Sequence, residues 1–217
     1  RVVQRAPRRL LRNLNHPSLR SKFGSGQQIP KSFRGISSNS SNHMVVQGCD
    51  CVTLAKHYQT PLFVVDGDRL ASNFRQFASS FKAHYPLVEV GYSYKTNPLP
   101  GVLHELHQLG ALAEVVSPYE LKLALELGVP GEKIVYNGPG KSMQGLELAV
   151  TNRIGMINID GFSEIEKIGR LARQHGHVQR VGLRVVTEVG WVKKFGFKIK
   201  NAAAFRAFEL IKAQDHL

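Results

Sequence analysis

LAEVVSPYELKLALELGVPGEKIVY, residues 112–136, is the stretch on which the fold turns. Leu112 to Val116 is a short run of apolar and β-branched residues, and reads as a strand. Ser117 can cap a helix, Pro118 suits the first helical position, and Glu120 stands three residues after Ser117, which completes a capping box. The helix runs from Pro118 to Leu127, and Gly128 sits where a left-handed stop is wanted. Lys133 to Tyr136 is then a second strand. Strands joined through a helix are expected to lie parallel, because the helix carries the chain back to the same end of the sheet.

The same unit repeats on both sides. Downstream, Met143–Thr151 is expected as a helix, Ile154–Ile159 as a strand, Ser163–His175 as a helix, Arg180–Val186 as a strand and Ala202–Ala213 as a helix. Upstream, Val88–Tyr94 is a strand and Gly101–Leu109 a helix. Each repeat takes roughly 20–25 residues, the pace of βα units. Further upstream, Leu62–Val65 reads as a strand and Asp68 to Ala83 as a helix, with Leu70, Phe74, Phe77 and Phe81 at spacings of three and four. Two architectures fit this alternation, an open doubly wound sheet and a (βα)8 barrel, and periodicity does not choose between them.

The chain has 217 residues and a net charge of +13, which invites a nucleic-acid reading. The distribution of charge argues against it. Residues 1–43 hold nine Lys or Arg and no acidic residue, leaving 20 basic against 16 acidic, a net +4, in residues 44–217. The excess belongs to a basic, Ser- and Arg-rich extension, and no specific nucleic-acid surface is expected. That extension has the composition of an organelle transit peptide. The plainer readings are a disordered segment, or translated sequence upstream of Met44, with a cytoplasmic protein behind it. Residues 44–86 are expected as a lead-in strand and helix, and 87–217 as the first part of an α/β barrel. No apolar run reaches the roughly 18–20 residues of a membrane span.

Several motifs fall short of their chemistry. Gly140-Lys141-Ser142 resembles the end of a phosphate-binding loop, but Val135 stands where that loop needs glycine. Gly138-x-Gly140 lacks the third glycine of a dinucleotide fingerprint, since Met143 is there. His104 and His107 share a helical face without a third ligand, and Cys49 and Cys51 form a lone C-x-C, so no metal is expected. Asp160-Gly161 reads as turn chemistry.

Tyr92-Ser93-Tyr94-Lys95-Thr96-Asn97-Pro98 is different. It ends a strand and opens a loop, and in a barrel the carboxyl end of a strand faces the active site. A lysine walled by apolar surface there loses its proton more readily and becomes a nucleophile toward carbonyls. A Schiff base with a cofactor aldehyde requires such an amine.

The surrounding segments give this lysine a family context. Thr60-Pro61-Leu62-Phe63-Val64-Val65-Asp66, Tyr92-x-Tyr94-Lys95-Thr96-Asn97 and Glu114-Val115-Val116-Ser117-x-x-Glu120-Leu121 come in order. They are followed by Gly128-Val129-Pro130-x-x-Lys133 through Lys141, Ile157-Asn158-Ile159-Asp160, Gly182-Leu183-Arg184-Val185 and Lys194-Phe195-Gly196. In these segments the chain resembles the pyridoxal-phosphate-dependent amino-acid decarboxylases that include diaminopimelate, ornithine and arginine decarboxylases. The resemblance implies a partial (βα)8 TIM-type barrel of the alanine-racemase-like class, with the second barrel half and a β domain beyond Leu217. It implies pyridoxal 5'-phosphate as cofactor and Lys95 as the catalytic lysine that holds it. Glu114 takes the place of an acidic residue near the cofactor, usually Asp. Arg184 takes that of the arginine supporting the acidic partner of the pyridine nitrogen. Glu120 matches a conserved glutamate, with the capping box as its other reading. Asn137 to Lys141 would form a loop at the barrel mouth, and Lys194 would be a local structural residue.

The resemblance further implies a small-molecule amino-acid substrate and a homodimer when the protein is full length. Diaminopimelate comes first as substrate, followed by lysine, ornithine and carboxylated siderophore intermediates. Three departures from the pattern stand out: Ser93 and Thr96 where small residues are usual, the longer Glu114, and the lack of the later segments. Alternatives are a truncated or regulatory non-catalytic homologue, an amino-acid racemase on the same fold, and a short single-barrel cofactor carrier.

Overall fold

The computed structural model describes residues 2–5, 36–186 and 194–217. The chain divides into two units, Arg1–Phe77 and Ala78–Leu217. The first holds β1 (Val2–Arg5), β2 (Ile36–Ser38), β3 (Met44–Val46), β4 (Cys49–Asp50), α1 (Cys51–Tyr58) and β5 (Leu62–Val65), and α2 (Gly67–Lys82) begins in it.

Of the extension expected to be disordered over residues 1–43, residues 2–5 and 36–43 are described, and residues 1 and 6–35 lie outside the described residues. β1 pairs antiparallel with β5, so the Leu62–Val65 strand has a partner within this chain. β2, β3 and β4 form a three-stranded antiparallel sheet. The β2–β3 turn is made by Asn39, whose Oδ1 accepts from the backbone N–H groups of Ser41 and His43 at 3.0 Å. Asp50 then caps α1: its Oδ1 accepts from the N–H groups of Val52 at 2.8 Å and Thr53 at 3.0 Å. Its Oδ2 accepts from Asn39 Nδ2 at 2.6 Å and contacts His43 Nδ1 at 2.9 Å. These bonds, that from Thr53 foremost and that from His43 next, hold the Asp50 carboxyl down at about 2. Cys49 and Cys51 are free thiols. In α2 the apolar stripe is only partly covered, with Phe77 and Phe81 exposed.

The second unit is the βα repeat. Its strands are β6 (Gly91–Ser93), β7 (Leu112–Val115), β8 (Ile134–Tyr136), β9 (Met156–Ile159) and β10 (Val181–Leu183). Its helices are α3 (Pro100–Gln108), α4 (Pro118–Glu126), α5 (Met143–Thr151), α6 (Phe162–Gln174) and α7 (Ala203–Lys212), with β11 (Val185–Val186) and β12 (Phe197–Lys198) pairing beyond β10. β6 to β10 are all parallel and lie in chain order. A doubly wound sheet reverses its order at a switch point. No reversal occurs across these five strands, so successive right-handed crossovers put the helices on one face, as in a barrel wall.

Alternation along the strands confirms the two faces. Ala113, Val115, Ile134, Tyr136, Ile157 and Ile159 are buried on the helical face with Leu103, Leu121, Leu146 and Ile168. The opposite face carries Ser93, Glu114, Val135 and Met156 in one register layer, with Asn158 opposite Gly182 in the next. The helices are capped as their sequences dictate. Ser117 Oγ accepts from Glu120 N–H at 3.2 Å, Glu120 Oε2 accepts from Val116 N–H at 2.7 Å, and Ser142 Oγ accepts from Gly145 N–H at 3.1 Å. Glu120 therefore takes its capping role.

The His104–His107 pair separates. His104 is exposed, whereas His107 is half-buried between β6 and α3. His107 Nδ1 donates to the Ala111 carbonyl at 2.9 Å, so its Nε2 accepts from the buried Tyr94 hydroxyl at 2.7 Å. Burial, the largest cause, lowers the His107 pKa from its ordinary 6.5. The unfolded chain then binds the proton more readily than the folded one, and stability falls as pH drops through and below about 6.5. His107→Gln is expected to flatten this acid limb. Thermal midpoints of the two proteins at pH 7.5 and pH 5.5 check this, and an equal acid shift in both would refute it.

Candidate active site

A cavity of ≈ 490 Å³ opens at the carboxyl ends of β6 to β10, bounded by Lys95, Glu114, Val116, Asn137, Gly138, Pro139, Asn158, Leu183, Arg184 and Phe195. The sequence placed Lys95, Glu114 and Arg184 in one site, and all three lie on this wall. Lys95 sits in the turn after β6, where Tyr94 N–H donates to the Glu114 carbonyl at 3.0 Å and Thr96 N–H to the Ser93 carbonyl at 3.1 Å. Among the described residues Lys95 makes no hydrogen bond or ion pair. It is exposed, not enclosed by the apolar walls expected from the sequence.

A polar chain runs across the wall beside it. Asn158 Nδ2 donates to Asn137 Oδ1, and Asn137 Nδ2 donates to Glu114 Oε1 at 2.7 Å. The extra methylene of Glu114 carries its carboxylate far enough to be gripped by the neighbouring strand. At the far end Arg184 Nη1 pairs with Asp160 Oδ1 at 3.0 Å, and its guanidinium lies 5.2 Å from the Phe195 ring centre. Asp160, read from sequence as turn chemistry, is thus the carboxylate that fixes Arg184. Lys194 is exposed next to Phe195 and does not line the cavity.

Two glycines let the wall close up. Gly138 has φ +93, and a Cβ there would stand 2.7 Å from the Val116 carbonyl oxygen. A Cβ on Gly182 would overlap Asn158 Oδ1. Gly182→Ala is therefore expected to push Asn158 off Asn137 and cost about 1–3 kcal/mol by overpacking. Urea unfolding of this variant measures the loss, and an unchanged midpoint would show that Asn158 yields freely.

Lys141 and Glu164 were not singled out as a pair by the sequence. Lys141 Nζ donates to the carbonyls of Gly138 at 2.7 Å and Asn158 at 2.6 Å, and to Glu164 Oε2 at 3.1 Å. Glu164 also accepts from the N–H groups of Lys141 at 3.2 Å and Asp160 at 3.0 Å. Their side chains are only 1% and 5% exposed. A Gly-Lys-Ser triplet points toward phosphate binding in sequence, and an acidic residue in the first turn of α6 looks like ordinary dipole compensation. The signal that could have found the pair is a lysine one turn before a helix, facing such an acid in the next repeat.

The family model for the pyridoxal binding domain of pyridoxal-dependent decarboxylases matches residues 69–217, more than half of the chain. The chain belongs to the pyridoxal-dependent decarboxylase family. Within that family it is 30% identical over 190 residues to the diaminopimelate decarboxylase of Bacillus subtilis, covering 82% of this chain and 43% of that protein. The crystal structure of Methanocaldococcus jannaschii diaminopimelate decarboxylase in complex with L-lysine is similar at 26% identity and TM-score 0.77, over 83% of this chain and 45% of that one. A third relative, SrLDC in complex with PLP and cadaverine, matches at 30% identity and TM-score 0.61, over 74% and 39%. The chain thus spans less than half the length of these relatives. A partial alanine-racemase-like barrel fits that coverage and the unreversed strand order. Among the described residues no helix is long and apolar enough to cross a membrane.

The wall is chemically suited to pyridoxal phosphate. It offers a primary amine that is unpaired among the described residues and a cavity within the size range of cofactor sites; behind the lining, the buried Ser93 hydroxyl has no hydrogen-bond partner among the described residues.

Proposed function

We propose that this chain is the pyridoxal-phosphate-binding part of a decarboxylase for a basic or diamino acid, with diaminopimelate as the first candidate substrate. The observation that carries the reading is Lys95, an amine unpaired among the described residues, at the end of the first strand of the wall and on the same cavity as Glu114 and Arg184. Pyridoxal phosphate, when bound, supplies an electron-poor ring that accommodates negative charge at the substrate Cα as carbon dioxide leaves. Lys95 Nζ supplies the nucleophile toward the cofactor aldehyde, and the same amine can carry a proton to and from the reacting carbon. The Glu114 carboxylate, steadied by Asn137, would set negative potential on the cavity wall that holds the cofactor. Arg184, steadied by Asp160, would support an acidic group that pairs with the ring nitrogen.

The names of the relatives favour a basic substrate: two are diaminopimelate decarboxylases, one of them in complex with lysine, and the third is in complex with the diamine cadaverine. The whole protein is read as a homodimer working in the cytoplasm. Release of labelled carbon dioxide from carboxyl-labelled meso-diaminopimelate, L-lysine and L-ornithine, with pyridoxal phosphate and the whole protein, tests this reading. Fastest release from diaminopimelate is expected. Exchange of the substrate α-proton with solvent and no carbon dioxide would point to racemisation instead, and neither event would point to a non-catalytic homologue.

A further inference from the structure

We infer that the buried Lys141–Glu164 pair is a positioning device for the cofactor wall, a role that rests on the site reading above. Neither member of the pair lines the cavity, but Lys141 bonds two residues that do. The pair ties the loop after β8 to the end of β9 and the loop after it, which carry the wall's polar groups. Lys141 Nζ holds the Gly138 carbonyl, next to Asn137, and the Asn158 carbonyl, next to Ile159 and Asp160. Glu164 holds the Asp160 N–H and the Lys141 N–H from the first turn of α6. All three donors of the ammonium are used, and both carboxylate oxygens accept.

The consequence is geometric. Asn137, Gly138 and Asn158 line the cavity, and Asp160 fixes Arg184. Asn137, Gly138 and Asp160 lie in the loops just after β8 and β9, where a backbone would otherwise be free to shift, and Asn158 lies near the end of β9 itself. The clamp fixes the spacing of the loops after β8 and β9, so that Asn158 meets Asn137, and Asn137 meets Glu114, without side-chain rearrangement. A wide choice of residues could supply stability at this position. An ammonium with acceptors in the loop after β8, at the end of β9 and in the first turn of α6 supplies registry as well.

The test uses the whole protein carrying Lys141→Met together with Glu164→Leu, which refills the volume without charge. Hydrogen exchange is followed in peptides covering residues 137–142 and 158–164, with residues 100–108 as internal control. Half-saturation by pyridoxal phosphate is followed by the absorbance of the bound cofactor. In the folded double variant, exchange in the two loops and the half-saturating concentration are each expected to rise at least about tenfold, with residues 100–108 unchanged. Wild-type exchange in the loops, or wild-type half-saturation, would overturn the proposal. If the wild-type protein binds no pyridoxal phosphate, the site reading fails, while the exchange comparison still decides whether the clamp orders the loops. Should the double variant not fold, Glu164→Gln, which keeps one acceptor, is judged by the same measurements. Failure of both to fold would make the pair a folding element only and overturn its positioning role.

Discussion

Lys95→Ala is expected to abolish covalent capture of pyridoxal phosphate by this protein while leaving its fold intact. The side chain is exposed and unpartnered, so its loss removes no packing and breaks no ion pair. Surface substitutions of that kind usually change stability by no more than about 0.5 kcal/mol. The chemical loss is expected to be complete, because Lys95 is the lysine among the ten described residues that line the cavity. Lys141, the next lysine in the neighbourhood, has its amine turned away into the Gly138 and Asn158 carbonyls. Far-ultraviolet circular dichroism and a thermal midpoint close to wild type should accompany the loss. A large fall in stability would mean that Lys95 is structural.

Glu164→Ala is expected to have the largest effect on stability. It strands the Lys141 ammonium at 1% exposure with two carbonyls and no counter-charge. It also removes the acceptor of the Lys141 and Asp160 N–H groups. Breaking one side of a buried ion pair costs about 3–5 kcal/mol, a large part of a typical domain's total stability. Replacing both partners by apolar residues strands the same two N–H groups and frees the two carbonyls, but buries no lone charge, and such replacement of a buried ion pair usually costs less than removing one partner. Glu164→Ala should therefore be less stable than the Lys141→Met, Glu164→Leu double variant. Denaturant unfolding of the three proteins checks the order. A single variant more stable than the double would show that water reaches Lys141.

The repeat itself was plain in the sequence because each helix carries its own punctuation. Met143–Thr151 has the bounds expected of it, and α4 differs from expectation only by one residue at its end. The strands were harder. Val88–Tyr94 shrinks to Gly91–Ser93, because that strand is bonded on one side only and its ladder lasts only where Leu112 to Glu114 face it. Arg180–Val186 breaks at Arg184, whose carbonyl accepts from Phe197 N–H at 2.8 Å, so that Val185–Val186 pairs with β12 rather than continuing beside β9. Tertiary pairing decides both cases, and no local preference encodes it.

The candidate site divides in the same way. Lys95, Glu114 and Arg184 were found because ordered motifs carried them. In sequence Asn137 reads only as part of a mouth loop and Asp160 as turn chemistry, because the contacts that give them their roles, Asn158 to Asn137 and Arg184 to Asp160, span more than twenty residues. The Lys141–Glu164 pair was hidden for the same reason, and the Gly-Lys-Ser triplet drew attention to phosphate chemistry that this loop does not perform with its lysine.

Borohydride reduction in the presence of pyridoxal phosphate, followed by peptide mass mapping, tests the central claim most directly. The account predicts a stable pyridoxyl label on Lys95, in the peptide containing Tyr92 to Pro98, and no label there in Lys95→Ala. Label spread over exposed lysines such as Lys122 and Lys212, with Lys95 no more reactive than they are, would contradict it.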